Sequence, residues 1–158
     1  VFRKNISEGT ELGKTATQFM SKGELVPDTI TISMLEEEIK AFSPCNGFIF
    51  DGFPRTIIQA KSLDELLDGM KLKIDLVVAL EVENNILIKR LLERGKTSGR
   101  TDDQSVVKIN KRLDEYDTKT KPLVNFYKKQ EKFVSIDGFG EFEQVTDRLI
   151  RTLDSKIK

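Results

Sequence analysis

The sequence has no histidine, no tryptophan and a single cysteine, Cys45, in 158 residues. Without histidine, imidazole general-base chemistry and histidine-ligated metals are excluded. One cysteine makes no disulfide within the chain and no all-cysteine zinc site, so the expected setting is reducing and cytoplasmic. Cys45 stands just before a predicted strand and is expected to be an inert thiol. An excess of one charge is missing too. Lys+Arg and Asp+Glu each number 26, and nothing in that balance points to nucleic acid or an anionic membrane. No apolar run approaches the ~20 residues of a membrane helix. The Gly-rich phosphate loop G-x-x-x-x-G-K-[ST] is also absent. Gly9-Thr-Glu-Leu-Gly-Lys-Thr15 falls one spacer short and follows no predicted strand.

What is present fits one domain, with 38% apolar residues for a modest core. Lysine supplies 18 of the basic residues and arginine only eight. A surface covered with lysine leaves arginine for bidentate contacts, unless the bias is merely compositional. Residues 1–20 read as helical, interrupted at Gly9 and Gly13, with a turn at Ser7–Thr10. A loop, 23–28, precedes a helix that Asp28 can cap, with Ile32, Leu35 and Ile39 at helical spacing. Gly47 to Asp51 reads as a buried parallel strand. Gln59 to Met70 is a helix with Leu63, Leu66, Leu67 and Met70 on one face.

Leu76–Leu80 is a second buried strand. It leads to a helix with Ile88, Leu91 and Leu92 inward, ending at Gly95. A polar loop runs to Asp103. A long helix with Val106, Ile109, Leu113 and Tyr116 on one stripe follows, and Pro122 kinks or restarts it. Phe133–Asp137 is a third strand, and Phe142, Val145, Leu149 and Leu153 line a last helix. Strands alternating with helices predict a right-handed α/β sheet.

Gly47-Phe-Ile-Phe-Asp-Gly-Phe-Pro-Arg55 carries the most chemistry. A strand end delivers Asp51, a sharp turn follows at Gly52 and Pro54, and Arg55 is thrown out beyond it. A carboxylate so placed can hold magnesium through water, or simply cap the turn. An arginine beside it can fork onto phosphate. Arg90 and Arg94, four apart on one helix face, are either solvated charges or phosphate ligands. Asp102 and Asp103 either cap the next helix, bind a ribose or tie down the polar loop.

These segments, with Phe2-Arg3, Gly9-Thr-Glu-Leu-Gly13, Gly23-Glu-Leu-Val-Pro-Asp28, Gln59, Lys89-Arg-Leu-Leu-Glu-Arg94, Ser98-Gly-Arg-Thr-Asp-Asp103, Arg112-Leu, Glu115-Tyr116 and Ile136-Asp-Gly138, resemble the adenylate kinases in order and over nearly the whole chain. The resemblance implies a P-loop NTPase-like parallel sheet flanked by helices. It divides the chain into an AMP-binding region (1–26), core (27–92), short lid (93–103) and core (104–158). It implies reversible phosphoryl transfer between ATP and AMP, giving two ADP, with Mg²⁺.

On this likeness Arg3 and Arg55 grip the AMP phosphate. The backbone of Glu24, Leu25 and Val26 meets the nucleotide, and Gly52, Phe53, Pro54 and Arg55 form the turn below AMP, with a cis Phe53–Pro54 peptide. Gln59 pairs with adenine. Asp51 orients magnesium-bound water. Arg90 and Arg94 face ATP, Arg100 and Arg112 reach across from the lid and the following helix, and the backbone around Gly140 touches the ATP adenine. Lys111 is the substitute for Arg112, since spacing after Asp103 varies in the family. Arg148 and Arg151 are left as ordinary surface charges. A short lid implies no structural zinc, and the family implies a monomer acting on small molecules.

The family's first strand, phosphate loop, first helix and second strand find no match here, and the helical pattern is already under way at Val1. A further segment of ~30–35 residues upstream is therefore expected. The alternatives are a UMP/CMP kinase, disfavoured by glutamine at position 59, and an inactive AMP-binding fragment.

Overall fold

Gly13 decides how the first two helices meet. In the computed structural model, which describes residues 2–22, 24–42 and 46–157 but not the side chains of Phe2 and Arg3, α1 (Phe2–Ser7) and α2 (Glu11–Met20) pack together. A Cβ on Gly13 would stand 2.2 Å from the Asn5 carbonyl oxygen, so only glycine permits this approach. Gly13 therefore sits buried inside α2 and does not interrupt it. The turn between the helices uses Gly9 at φ 64°. Thr10 caps α2, its hydroxyl accepting from Gly13 N (3.0 Å) and donating to Asn5 Oδ1 (2.8 Å).

α3 (Asp28–Ala41) and α4 (Ile57–Gly69) lie against each other and, with α7 (Pro122–Lys128), enclose the main core. Ile39, Leu63, Leu67, Leu123 and Tyr127 are buried there. β1 (Val77–Glu81) and β2 (Phe133–Asp137) form a parallel pair, from Val77 opposite Phe133 to Glu81 opposite Asp137. Parallel strands need a long crossover. Here it comprises α5 (Asn84–Thr97), α6 (Val106–Glu115), a π-turn at Tyr116–Thr120 and α7. α8 (Phe142–Lys156) then returns to β2. The α/β class is as expected, and so are the cis Phe53–Pro54 peptide and the break at Pro122.

Several local expectations are corrected. Phe48, Ile49 and Phe50 lie in no sheet among the described residues. Phe48 and Phe50 pack on the core while Ile49 is 97% exposed, the in-out alternation of an extended chain covered on one face only. Gly95 does not end α5, which continues to Thr97. It is buried there because a Cβ would meet the Asp103 carbonyl oxygen at 2.6 Å. Asp28 is the first residue of α3, not its cap, and Ser105, not Asp102 or Asp103, holds the N-cap of α6. Phe142 begins α8 but is 80% exposed, and Val106 and Tyr116 are exposed as well. Val1, Gly23, Cys45 and Lys158 lie outside the described residues, so the Cys45 expectation is not addressed.

Close approach at Gly13 gives a stability prediction. Gly13→Ala is expected to lose about 1–3 kcal/mol through overpacking against backbone. Gly69→Ala, in helical geometry with nothing near its Cβ, is expected to be neutral or to gain up to about 1 kcal/mol. Urea unfolding of the two variants checks this, and equal stabilities would contradict it.

Candidate active site

The turn after Asp51 is held by its own polar groups. Gly52 adopts φ 69°, and a Cβ there would come within 3.1 Å of an Arg55 guanidinium nitrogen. Arg55 Nε donates to the Gly52 carbonyl at 2.7 Å, folding the side chain over the turn. Arg55 N donates to Gln59 Oε1 at 2.7 Å. Thr56 caps α4, its hydroxyl accepting from Gln59 N (3.1 Å) and donating to Asp28 Oδ2 (3.0 Å). Gln59 Nε2 completes the network on Asp28 Oδ1 at 2.7 Å.

The Asp28 carboxylate does not cap α3 but joins that helix to the start of α4. Gln59 is only 3% exposed, with both ends of its amide engaged inside the protein. Pairing with a base would require it to exchange one of these bonds.

Opposite this turn, three arginines converge on one buried carboxylate. Asp103 is wholly buried. Arg94 Nε from α5 donates to its Oδ2 at 2.6 Å, Arg112 from α6 bonds its Oδ1, and Arg100 from the polar loop stands 3.6 Å from Oδ2. Arg112 also reaches Asp102 Oδ2 at 2.9 Å. Burial disfavours the Asp103 charge, but hydrogen bonds and charge from Arg94 and Arg112 outweigh it and hold the carboxyl below its ordinary pKa. Arg55 belongs to the same field. Desolvation by surrounding protein and then the Arg112 charge pull its pKa below the usual arginine value, while Asp51 and Asp102 oppose them.

A second cluster forms where β2 ends. Arg90 of α5 donates to the carbonyls of Gly138 (2.9 Å) and Gly140 (3.0 Å). Arg148 of α8 donates to the carbonyls of Asp137 (2.7 Å) and Phe139 (2.6 Å). Successive carbonyls of this loop thus turn alternately to two guanidinium groups. Arg148, expected to be an ordinary surface charge, is a loop anchor. The sequence signal for it is its distance, two to three helical turns, behind a Gly-Phe-Gly loop.

Of the residues singled out in the sequence, Arg55, Arg94, Arg100 and Arg112 share one charged region, with Asp51 and Asp102 at its margin. Arg90 and Gly140 come together elsewhere. The Arg3 side chain lies outside the described residues. Glu24 pairs with Lys111 at 2.7 Å, which sets the Glu24–Val26 segment beside α6. Lys111 therefore faces Glu24, and Arg112 takes the carboxylates. Leu25 is half-buried and Val26 buried. Among the described residues no three acidic or cysteine side chains gather as a metal cage. A lone exposed carboxylate, Asp51, fits a magnesium ion that keeps its water and arrives on phosphates.

The family model described as adenylate kinase matches residues 1–132. The chain is 50% identical to the adenylate kinase of Flavobacterium johnsoniae over 98% of its own length and 82% of that protein's. It is 48% identical to the adenylate kinase of Flavobacterium psychrophilum with the same coverage. It is 42% identical to that of Thermobifida fusca over 99% of this chain and 82% of the relative. Among the described residues no helix is long and apolar enough to cross a membrane.

The buried carboxylate generates a pH prediction. Because the folded pKa of Asp103 is lowered, its contribution is complete above the unfolded value near ~4 and is lost as pH falls through the lower folded value. Asp103→Asn is expected to cost about 1–3 kcal/mol at pH 7, a figure reduced because the arginines reach solvent. The gap between wild type and variant should narrow on acidification below pH ~4. Denaturant titrations from pH 7 down to 3 measure it, and parallel pH curves would refute the assignment.

Proposed function

The chain belongs to the adenylate kinase family, and from that premise we propose that it moves the terminal phosphoryl group of ATP to AMP, reversibly, giving two ADP. The observation that carries this reading is the convergence of Arg94, Arg100 and Arg112 on Asp103, with Arg55 in the same field. In the transfer the bond from the γ-phosphorus to the β,γ-bridging oxygen breaks, and a bond to an AMP phosphate oxygen forms. Charge spreads over the equatorial oxygens of the moving group. Catalysis then requires positioning and fixed cations more than a protein base. A chain without histidine meets that requirement.

In this reading Arg55 and Arg3 hold the AMP phosphate from the turn and α1. Arg94, Arg100 and Arg112 exchange Asp103 and Asp102 for phosphate oxygens, and Arg90 and the Gly140 backbone mark the donor-base side. Gln59 reads adenine by giving up a bond to Asp28 or to Arg55 N. Asp51 would hold, through water, a magnesium ion, which when bound would supply charge neutralisation on the donor phosphates. A monomer in the cytoplasm, binding ATP, AMP and ADP, completes the proposal. The second reading is AMP binding without transfer, carried by the Gly52–Gln59 turn alone, whose Arg55 is held on Gly52 and Gln59. Calorimetric titration with ATP separates the two, since the transferase binds ATP and the module does not.

Arg55→Ala is expected to lower kcat/KM for AMP by roughly a hundredfold, the loss of a charge-assisted fork on phosphate, with little change in KM for ATP. Coupled-enzyme kinetics check it, and unchanged turnover would contradict the role. Competition between AMP and UMP tests the base: preference for UMP would replace this reading with a pyrimidine kinase.

A further inference from the structure

Hydroxyls within the helices of this protein mostly turn back on their own helix. Thr15, Thr17, Ser33, Thr118, Thr146 and Thr152 each donate to the carbonyl four residues earlier. Thr120 does not. Its hydroxyl donates at 2.9 Å to the carbonyl of Arg55, 65 residues away. It does so from the π-turn, closed by Lys121 N donating to Tyr116 O at 2.8 Å. The following residue, Pro122, has no N–H to continue an α-helical ladder, and the wide turn takes up that break.

We propose that Thr120 is a positioning residue for Arg55, fixing where that guanidinium stands relative to Arg112. The inference rests on Arg55 being a phosphate ligand, as in the proposed function. Arg55 N is fixed on Gln59 Oε1 at 2.7 Å, its carbonyl on Thr120, and its Nε on Gly52 O at 2.7 Å. Gln59 is itself held by Asp28. The main chain of Arg55 is thus gripped from both sides by side chains of two different elements.

The grip has electrostatic work to do. Arg112 lies two turns before Thr120 on the same helical segment, and its positive charge opposes that of Arg55. Like charges favour separation. The Thr120 bond ties the backbone bearing one charge to the segment bearing the other. Without it, Arg55 is free to retreat from the place where both guanidinium groups meet one phosphate.

The test uses the full chain with Thr120→Val, which removes the hydroxyl at nearly constant shape, and Thr120→Ser, which keeps it. Steady-state kinetics are recorded against AMP and ATP separately, with melting temperatures alongside. Thr120→Val is expected to raise KM for AMP roughly three- to tenfold, the value of one hydrogen bond, while KM for ATP changes less than about twofold. Thr120→Ser should restore most of the AMP affinity. Should the valine variant not fold, Thr120→Ala must show the same split.

A variant that melts earlier but keeps both KM values, or one that weakens AMP and ATP equally, overturns the positioning role. So does a serine variant as impaired as valine. A wild-type chain that neither binds AMP nor transfers phosphate overturns the proposed function itself, and this inference with it.

Discussion

The buried carboxylate of Asp103 is the constraint on which the charged half of this protein depends. A carboxylate without solvent is costly unless cations and hydrogen bonds surround it. Arg94, Arg100 and Arg112 supply both, and they come from α5, the polar loop and α6. The need to bring three chain segments to one point explains features that otherwise look incidental. α5 runs past Gly95 to Thr97, which puts a residue without a side chain against the Asp103 backbone. Ser105 takes the N-cap position of α6, which leaves both aspartates for the arginines.

Around this centre the arginines divide into two kinds of work. Arg94, Arg100 and Arg112 meet carboxylates, Arg55 and Arg90 meet backbone carbonyls, and Arg148 meets both, with two carbonyls in hydrogen-bond reach and the Asp137 carboxylate at 3.6 Å. A guanidinium on a carbonyl is a structural clamp that keeps its charge uncancelled, whereas one on a carboxylate is locally neutralised. Arg90 holds the Asp137–Gly140 loop through carbonyls alone, while Arg148 holds it through carbonyls and the nearby Asp137 carboxylate. Arg55 stays folded on Gly52 with its charge available. Arg90 spans the Gly138 and Gly140 carbonyls with two separate nitrogens of one rigid planar fork, a geometry that a lysine ammonium does not have.

Much of the fold was legible in the sequence where periodicity was strong. Phe133–Asp137 was read to the residue, and the helices around Leu63 and Ile109 followed from their apolar spacing. Reading failed where tertiary contacts overrode local signals. Gly95 looked like a helix end because glycine usually stops helices, yet here it answers to a neighbour eight residues away. Gly47 to Asp51 looked like a buried strand because its residues are apolar, yet strand identity belongs to a partner, which local composition does not name. Asp28 had every local mark of a cap, and only the fold reveals Thr56 and Gln59 as its partners. The arginine cluster was found through resemblance. Its counter-ion, Asp103, was seen as a motif residue whose role stayed open, because burial is not a local property.

The balance of charge in the cluster bears on how a nucleotide would enter it. Four guanidinium groups, Arg55, Arg94, Arg100 and Arg112, face three carboxylates, Asp51, Asp102 and Asp103. The region is thus only slightly cationic while the arginines remain on their aspartates. Phosphates could not simply be added to it. They would have to compete for groups already bonded, and each exchange would trade a charge-assisted bond for another of similar strength. Under the proposed function the net gain would come from the geometry of the phosphoryl group in transfer, which presents three oxygens to converging donors where Asp103 presents two. On the same proposal, a site of this construction would hold its cations in place without ligand and favour the transferring group over either resting nucleotide. That preference depends on the backbone restraints at Arg55 as much as on the arginines themselves.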